Sequence, residues 1–220
     1  MIETGVLFNN IHSFYDLDLI LSAVEVPPAI PKMVYVDIPG ADGSLDLTEA
    51  HGEVKYNDRT ISMMFLLNPA GDLSEFAWEC KKTQVCNALN GVACRLVLDK
   101  DPDYYWVGRC EIDRYASNKR LRQIVVNARV RPYKYKHKET VETFALTTAG
   151  QTVVLRNSRK SVCPVITCTN SNTKVTFNGS TYTLGAGTHQ TMDIRLVEGE
   201  NKVTISGSGS ITFAYQEGDL

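Results

Sequence analysis

The 220-residue sequence has almost no net charge, with 23 Lys+Arg against 25 Asp+Glu. A protein that grips DNA or an anionic membrane through bulk electrostatics needs an excess of basic residues, so neither class is favoured. No apolar run approaches the 18 residues of a membrane-spanning helix. The opening residues Met1-Ile2-Glu3-Thr4-Gly5 carry an acid and no basic n-region, so no secretory signal and a cytoplasm-made protein are expected. The six cysteines form no C-x-x-C pair and no zinc spacing with the four histidines His12, His51, His137 and His189, which lack any H-E-x-x-H arrangement. A reducing compartment then favours free, mostly buried thiols. There is no G-x-S-x-G elbow and no local nucleophile signature at any cysteine. No catalytic residue, metal ligand or cofactor-binding residue is assigned, and an enzyme is not expected.

What is present is unevenly distributed. Residues 1–138 hold 7 Gly and 4 Thr, whereas the shorter stretch 139–220 holds 8 Gly and 15 Thr. Thr suits half-exposed strands and Gly marks tight turns, so the second part reads as an all-β module of short hairpins, most economically a β-sandwich. One hairpin turns at Asn178-Gly179, a pair that tolerates positive φ twice, between alternating runs 174–177 and 180–184. A second is expected from run 201–205, the turn 206–210 and run 211–215.

The first part carries one principal helix. Asp72 is placed as its N-cap with Glu75 three residues on, followed by Leu73, Phe76, Ala77 and Cys80 at helical spacing, then Ala88 and Leu89, with Asn90-Gly91 as the stop. Strand-like runs surround it at 33–38, 60–67, 92–98, 104–112 and 120–130. The fold class is therefore mainly β with one principal helix: an α+β domain over 1–138 and a β-sandwich over 139–220. Residues 138–153 read as the linker and entry to the second domain.

Four features invite a functional reading. Asp99, Asp101 and Asp103 alternate as at the start of a calcium loop, but Tyr104 stands where that loop needs Gly and Cys110 where it needs Glu. Asp101-Pro102 makes a hairpin turn the better account. The segment holding Gly40, Asp42, Gly43, Asp46 and Glu49 lacks the Gly spacing and Lys of a phosphate-binding loop. It is either a long turn or extended arm, or an assembly contact. Residues 129–138 combine five basic side chains with Tyr133 and Tyr135, which could stack on bases, although an exposed strand end with a basic rim is the ordinary outcome and is favoured. Finally, a small β-sandwich could hold a saccharide on an aromatic platform, but Phe213 and Tyr215 fall with Ile211 on one strand face, as a core stripe does.

The order of these pieces resembles the distal tail protein (Dit) family of long-tailed bacteriophages and prophages. The resemblance runs through Phe8-Asn9-Asn10-Ile11-His12-Ser13-Phe14-Tyr15-Asp16, then Ile38-Pro39-Gly40-Ala41-Asp42-Gly43-Ser44-Leu45-Asp46-Leu47-Thr48-Glu49, then Tyr56-Asn57-Asp58-Arg59 and the helix. It continues through residues 96–109 to Arg131-Pro132-Tyr133-Lys134-Tyr135. The C-terminal part matches more loosely through Leu155-Arg156-Asn157, Cys163-Pro164-Val165-Ile166, Gly199-Glu200-Asn201 and Glu217-Gly218. Where the family has Gly-Arg in the loop, this chain has Gly40-Ala41, so no arginine contact carries over. The resemblance implies an N-terminal β-sandwich with a helix and a projecting hairpin, and a C-terminal galectin-like or carbohydrate-module-like β-sandwich. It implies a homo-hexameric ring at the tail tip, joining the tail tube protein to the tail-associated baseplate hub protein, with DNA passing through the lumen without specific binding. The location implied is the virion, assembled in the host cytoplasm, with no membrane contact and no cofactor; a cell-wall saccharide is the alternative ligand. Gly40, Asp42, Gly43, Asp46 and Glu49 in the loop, with Asp99, Asp101 and Asp103 in the hairpin turn, are the candidate assembly contacts.

Overall fold

Alternating apolar runs pair as antiparallel strands throughout, and the chain divides into two compact units, residues 1–134 and 135–220. The computed structural model describes residues 5–50, 52–69, 71, 74–117 and 121–220. Residues 1–4, His51, Asp72, Leu73 and Arg120, which figure in the sequence expectations, lie outside these. No helix among the described residues is long and apolar enough to cross a membrane.

The first unit contains β1 (Val6–Phe8), β2 (Ile11–His12), β3 (Leu19–Glu25), β4 (Tyr35–Asp37), β5 (Ser44–Asp46), β6 (Arg59–Leu67), α1 (Glu75–Leu89), β7 (Ala93–Leu98), β8 (Tyr104–Ser117) and β9 (Arg122–Val130). Seven strands lie in the order β2-β1-β7-β8-β9-β6-β3, every neighbour antiparallel. Phe8 of β1 and Phe65 of β6 are four strands apart along this path, which in a flat sheet would be roughly 19 Å. Their ring centroids are 6.2 Å apart, so the sheet curls until its ends face each other across one core. The alternation of β6 places Ile61, Met63 and Phe65 inward, where they meet Leu96, Leu98, Trp106, Ile124 and Val126.

The helix forms where expected but differs at its start and in its buried face. Its N-cap is Ser74, whose hydroxyl accepts from the Ala77 amide at 3.2 Å, and not Asp72. Ser74 has the extended backbone an N-cap needs, and Glu75 then lies in the first turn, beside the positive end of the dipole. The buried side chains are Trp78, Val85 and Leu89, whereas Phe76 is 80% exposed and Cys80 is also on the outside. Trp78 wins the inward position because its ring has partners there. Tyr115 meets it edge-on at 6.3 Å, and the Lys82 and Arg122 cations lie 5.7 and 5.6 Å from its centroid. Asn90 and Gly91 end the helix as expected, Gly91 at φ +74°.

Strand β10 (Lys134–Lys136) begins on the last residue of the first unit, and the second unit continues with β11 (Thr140–Ala145), β12 (Gln151–Asn157), β13 (Val165–Cys168), β14 (Thr173–Phe177), β15 (Ser180–Leu184), β16 (Gly187–His189), β17 (Gly199–Ser206), β18 (Ser210–Tyr215) and β19 (Gly218–Asp219). Two four-stranded sheets, β11-β18-β13-β16 and β12-β17-β14-β15, enclose Leu155, Val175, Phe177, Val203, Ile205, Ile166, Ile211, Phe213 and Tyr215. The Asn178-Gly179 hairpin forms as read, with φ +48° and +81° at its two turn residues. The second expected hairpin does not. Strands β17 and β18 sit in different sheets, and Gly207 and Gly209, both at positive φ, carry the chain across the sandwich. This lets the inward faces of both strands pack against each other. Residues 138–153 are likewise not a plain linker, since they contain all of β11 and the start of β12.

The threonine excess has a structural cause. Thr143, Thr212, Thr167 and Thr188 are successive cross-strand partners over all four strands of one sheet. Thr152, Thr204, Thr176 and Thr181 form the equivalent row on the other. Within each row the outer pairs share hydroxyl hydrogen bonds of 2.8–3.2 Å. Such pairs satisfy a solvent-facing sheet laterally while the opposite face fills the core.

Glu217 anchors the end of the second unit. Its carboxylate accepts from Thr140 at 2.5 Å, Ser158 at 2.6 Å and Lys136 at 2.8 Å. Burial alone would raise its pKa, but the hydrogen bonds from Lys136, Ser158 and Thr140 and the Lys136 charge hold it below the ordinary value. A depressed carboxyl contributes stability above the unfolded-state pKa and loses it as pH falls through the folded one. Wild type is therefore expected to exceed Glu217→Gln in stability at about pH 7, with the gap narrowing by about pH 3. Denaturant unfolding of both proteins at the two pH values checks this.

Candidate assembly surface

Between β3 and β6 the chain leaves the core on a long excursion. At its base Val26 still packs on the core, the Arg59 guanidinium donates to the Pro27 carbonyl at 3.1 Å, and Asn57 N–H donates to Ile30 O at 2.9 Å. Beyond that, β4 and β5 pair only with each other, in the register Tyr35↔Asp46, Val36↔Leu45, Asp37↔Ser44. The expected strand over 33–38 is thus a three-residue strand in a separate arm. Its tip is set by Pro39 and Gly40, the latter at φ +83°, closed by Ala41 N–H on Ile38 O at 3.1 Å, with Gly43 also left-handed at φ +74°. The Asp46 carboxylate takes the Thr48 amide at 2.9 Å; hydrogen bonds from the Thr48 hydroxyl and amide hold its pKa below the usual range.

The arm is built the wrong way round for a free surface. Ile30, Met33, Val34, Tyr35, Val36, Ile38, Leu45 and Leu47 are all exposed, and none of them belongs to the core cluster. A two-stranded ribbon with neither face packed is marginal alone, and a contiguous exposed apolar patch marks an interaction surface. Residues 37–49 contain four acids, Asp37, Asp42, Asp46 and Glu49, and no base. A groove of about 420 Å³ runs beside Pro31, Met33, Tyr35, Asp46, Thr48, Glu49, Val54 and Tyr56. The complementary surface for such an arm is apolar and basic.

The structure places five of the candidate contact residues, Gly40, Asp42, Gly43, Asp46 and Glu49, on this arm, all exposed. The other three lie in the β7–β8 turn, a different element. Two of those are occupied within the unit: Asp99 accepts from Gly5 N–H at 2.6 Å and His12 Nε2 at 3.1 Å, and Asp101 accepts from Lys134 at 2.8 Å. Asp103 is exposed. The apolar run 33–38 was read only as a strand and not as a contact, although Pro27-Pro28 ahead of the unbroken run 33–36 is the signal that could have marked it as an arm.

The remaining features are largely engaged within the fold. In the basic stretch, Arg129 pairs with Asp58 at 3.3 Å and Tyr133 packs edge-on against Tyr56 at 5.9 Å. Lys134 lies over the Tyr104 ring at 4.1 Å besides holding Asp101, and Lys136 holds Glu217. Tyr135 is buried. Tyr135, Lys134 and Lys136 are thus engaged in the fold, while Arg129, Arg131 and Lys138 stay exposed at its rim. No group of three His, Cys, Asp or Glu among the described residues could hold a metal ion. In the second unit Phe177, Phe213 and Tyr215 are buried, leaving their ring faces in the core.

Comparison with known proteins adds one finding. No protein-family model matches the chain, and no curated protein matches it by sequence. Among solved structures it is similar to the SPP1 Dit (gp 19.1) protein, a paradigm of the hub adsorption apparatus in Gram-positive-infecting phages. The TM-score is 0.71 at 14% identity, covering 99% of each chain. The likeness spans both units and establishes a Dit-like fold: mainly β, with a single helix among the described residues.

Proposed function

We propose that this chain is a structural protein of a phage tail, closing into a hexameric ring at the distal tip through its N-terminal domain, residues 1–138, with residues 139–220 as a C-terminal β-sandwich domain. The ring joins the tail tube protein to the tail-associated baseplate hub protein, and DNA passes through its lumen without specific contacts. It assembles in the host cytoplasm, resides in the virion and has no catalytic role. The observation that carries this reading is the apolar arm of residues 30–47, exposed on both faces in a chain with the Dit fold. A closed ring is made from heterologous contacts, one patch on each subunit meeting a different patch on the next. An arm that leaves its own core to present apolar and acidic side chains supplies such a patch. A near-zero net charge suits a channel that must not hold DNA. A saccharide-binding role for residues 139–220 has less support, because Phe177, Phe213 and Tyr215 are buried and Phe144 and Tyr182 pack partly against the same core.

Substituting Asp42 and Gly43 with tryptophan tests the reading at the arm tip. A Cβ at Gly43 meets nothing within 4 Å, so the strain is confined to one left-handed residue in an open loop. The fold is expected to persist with an unchanged circular dichroism spectrum, while light scattering falls from six times the 24.5 kDa chain mass towards one. A variant that retains the full ring mass would refute the role of the tip.

A further inference from the structure

Two thiols in the first unit are placed for chemistry that the tail reading neither uses nor requires. Cys94 on β7 and Cys110 on β8 point into the core, 5% and 1% exposed, with their sulfurs 3.1 Å apart. Cys94 is directly opposite Gly108, and the Cys110 amide donates to Val92 O at 3.0 Å, so the two cysteines occupy neighbouring inward positions along the strand pair. Gly108 lies beside the pair. It has no side chain to fill the place opposite Cys94, and a Cβ there would collide with the Arg129 carbonyl and Val130 Cα on β9. Opposite a residue with no side chain, the Cys94 sulfur makes its contact with Cys110 at 3.1 Å.

We propose that Cys94 and Cys110 are an oxidisable dithiol, converted by a peroxide to a buried disulfide that ties β7 to β8 once the protein leaves a reducing compartment. A disulfide needs a sulfur–sulfur distance of about 2.05 Å, so the two atoms close by about 1 Å along an existing contact. The hydrogen bond from Cys110 lowers the Cys94 pKa against its burial, while the same bond, burial and the Cys94 charge push Cys110 up. Cys94, the more exposed of the two at 5% against 1%, is the attacking sulfur. Its thiolate takes one oxygen of hydrogen peroxide, breaking the O–O bond and giving a sulfenic acid and hydroxide. The Cys110 sulfur then displaces the sulfenic hydroxyl, forming the S–S bond. Both thiol protons end on the expelled hydroxides, so two thiols and one peroxide give one disulfide and two waters. In a reducing compartment the pair remains as the free thiols seen here.

The test uses the full chain, incubated with hydrogen peroxide or with dithiothreitol, then unfolded in an alkylating reagent and mapped by mass spectrometry. Oxidation is expected to yield a monomer two hydrogens lighter, with tryptic peptides 83–95 and 110–114 joined. The first peptide also contains Cys86, so fragment ions must place the link at Cys94. The melting temperature is expected to rise by about 5 °C, and dithiothreitol is expected to reverse the mass and thermal changes. Cys94→Ala and Cys110→Ala should each abolish the link. Complete alkylation of both thiols after peroxide treatment, their conversion to sulfinic acids, or a link at Cys86 would overturn the proposal. Because the readout is made within one chain, it stands or falls separately from ring formation.

Discussion

Replacing Val36 by lysine together with Leu45 by glutamate is expected to abolish self-association while leaving the monomer's melting temperature nearly unchanged. The two residues are direct cross-strand partners in the arm and both are exposed, so neither contributes to the chain's own core. Exposed substitutions of this kind alter stability by roughly 0.5 kcal/mol or less. The opposite charges keep the strand pair together, as a lysine faces a glutamate across the register. In an assembled ring the same positions exchange apolar burial worth about 1.5–3 kcal/mol each for two charges that must be desolvated. The association constant between neighbours is then expected to fall by about a thousandfold or more. Sedimentation velocity across a concentration series checks this. An unchanged assembly would assign the contact elsewhere, and a lowered melting temperature would show that the arm supports its own unit.

The largest stability effect is expected from Trp78→Ala, at about 4 kcal/mol. Trp78 is 2% exposed and is the residue through which the helix docks, packed edge-on with Tyr115 and flanked by the cations of Lys82 and Arg122. Its removal costs the buried ring, leaves a cavity and strips both cations of their aromatic partner. Phe76→Ala, two residues earlier, is expected to change stability by no more than about 0.5 kcal/mol, because that ring faces solvent. Chemical denaturation of the two variants decides which helix face is the buried one. Comparable losses for both would contradict the docking described here.

These two variants also show where the sequence was informative. The helix was legible from its stop signal and its length, and Ala88 and Leu89 do face the core, but Phe76 and Cys80 do not, since apolar residues occur on several sides of it. Phe76 and Trp78 are equally apolar in a sequence, and only the Tyr115 and Arg122 partners, which lie far along the chain, select the second. Its start was misplaced because Asp72 and Ser74 are both competent caps and the backbone at Ser74 decides. Local turn chemistry was read correctly at Asn178-Gly179, where two left-handed residues force a hairpin. The Gly/Ser turn at 206–210 looks the same in sequence, but its flanking strands bury Val203 and Ile205 in one sheet and Ile211 and Phe213 in the other. That outcome depends on long-range pairing with β12 and β13. The threonine excess announced sheets, although the continuous rows across four strands needed the register to be seen.

The candidate contacts divide along the same line. Glycines and acids marked out the arm tip because turns require those residues, whereas the apolar residues that make the arm adhesive looked like an ordinary strand. Asp99 and Asp101 drew attention as charges in a turn, and they turn out to be held by His12, Gly5 and Lys134 within the unit.

Negative-stain electron microscopy of the purified full chain tests the central claim most directly. The account predicts six-fold rings in class averages, lost in the Val36→Lys, Leu45→Glu protein. Single particles of one chain at concentrations where the arm would have to bury its eight apolar side chains would contradict it.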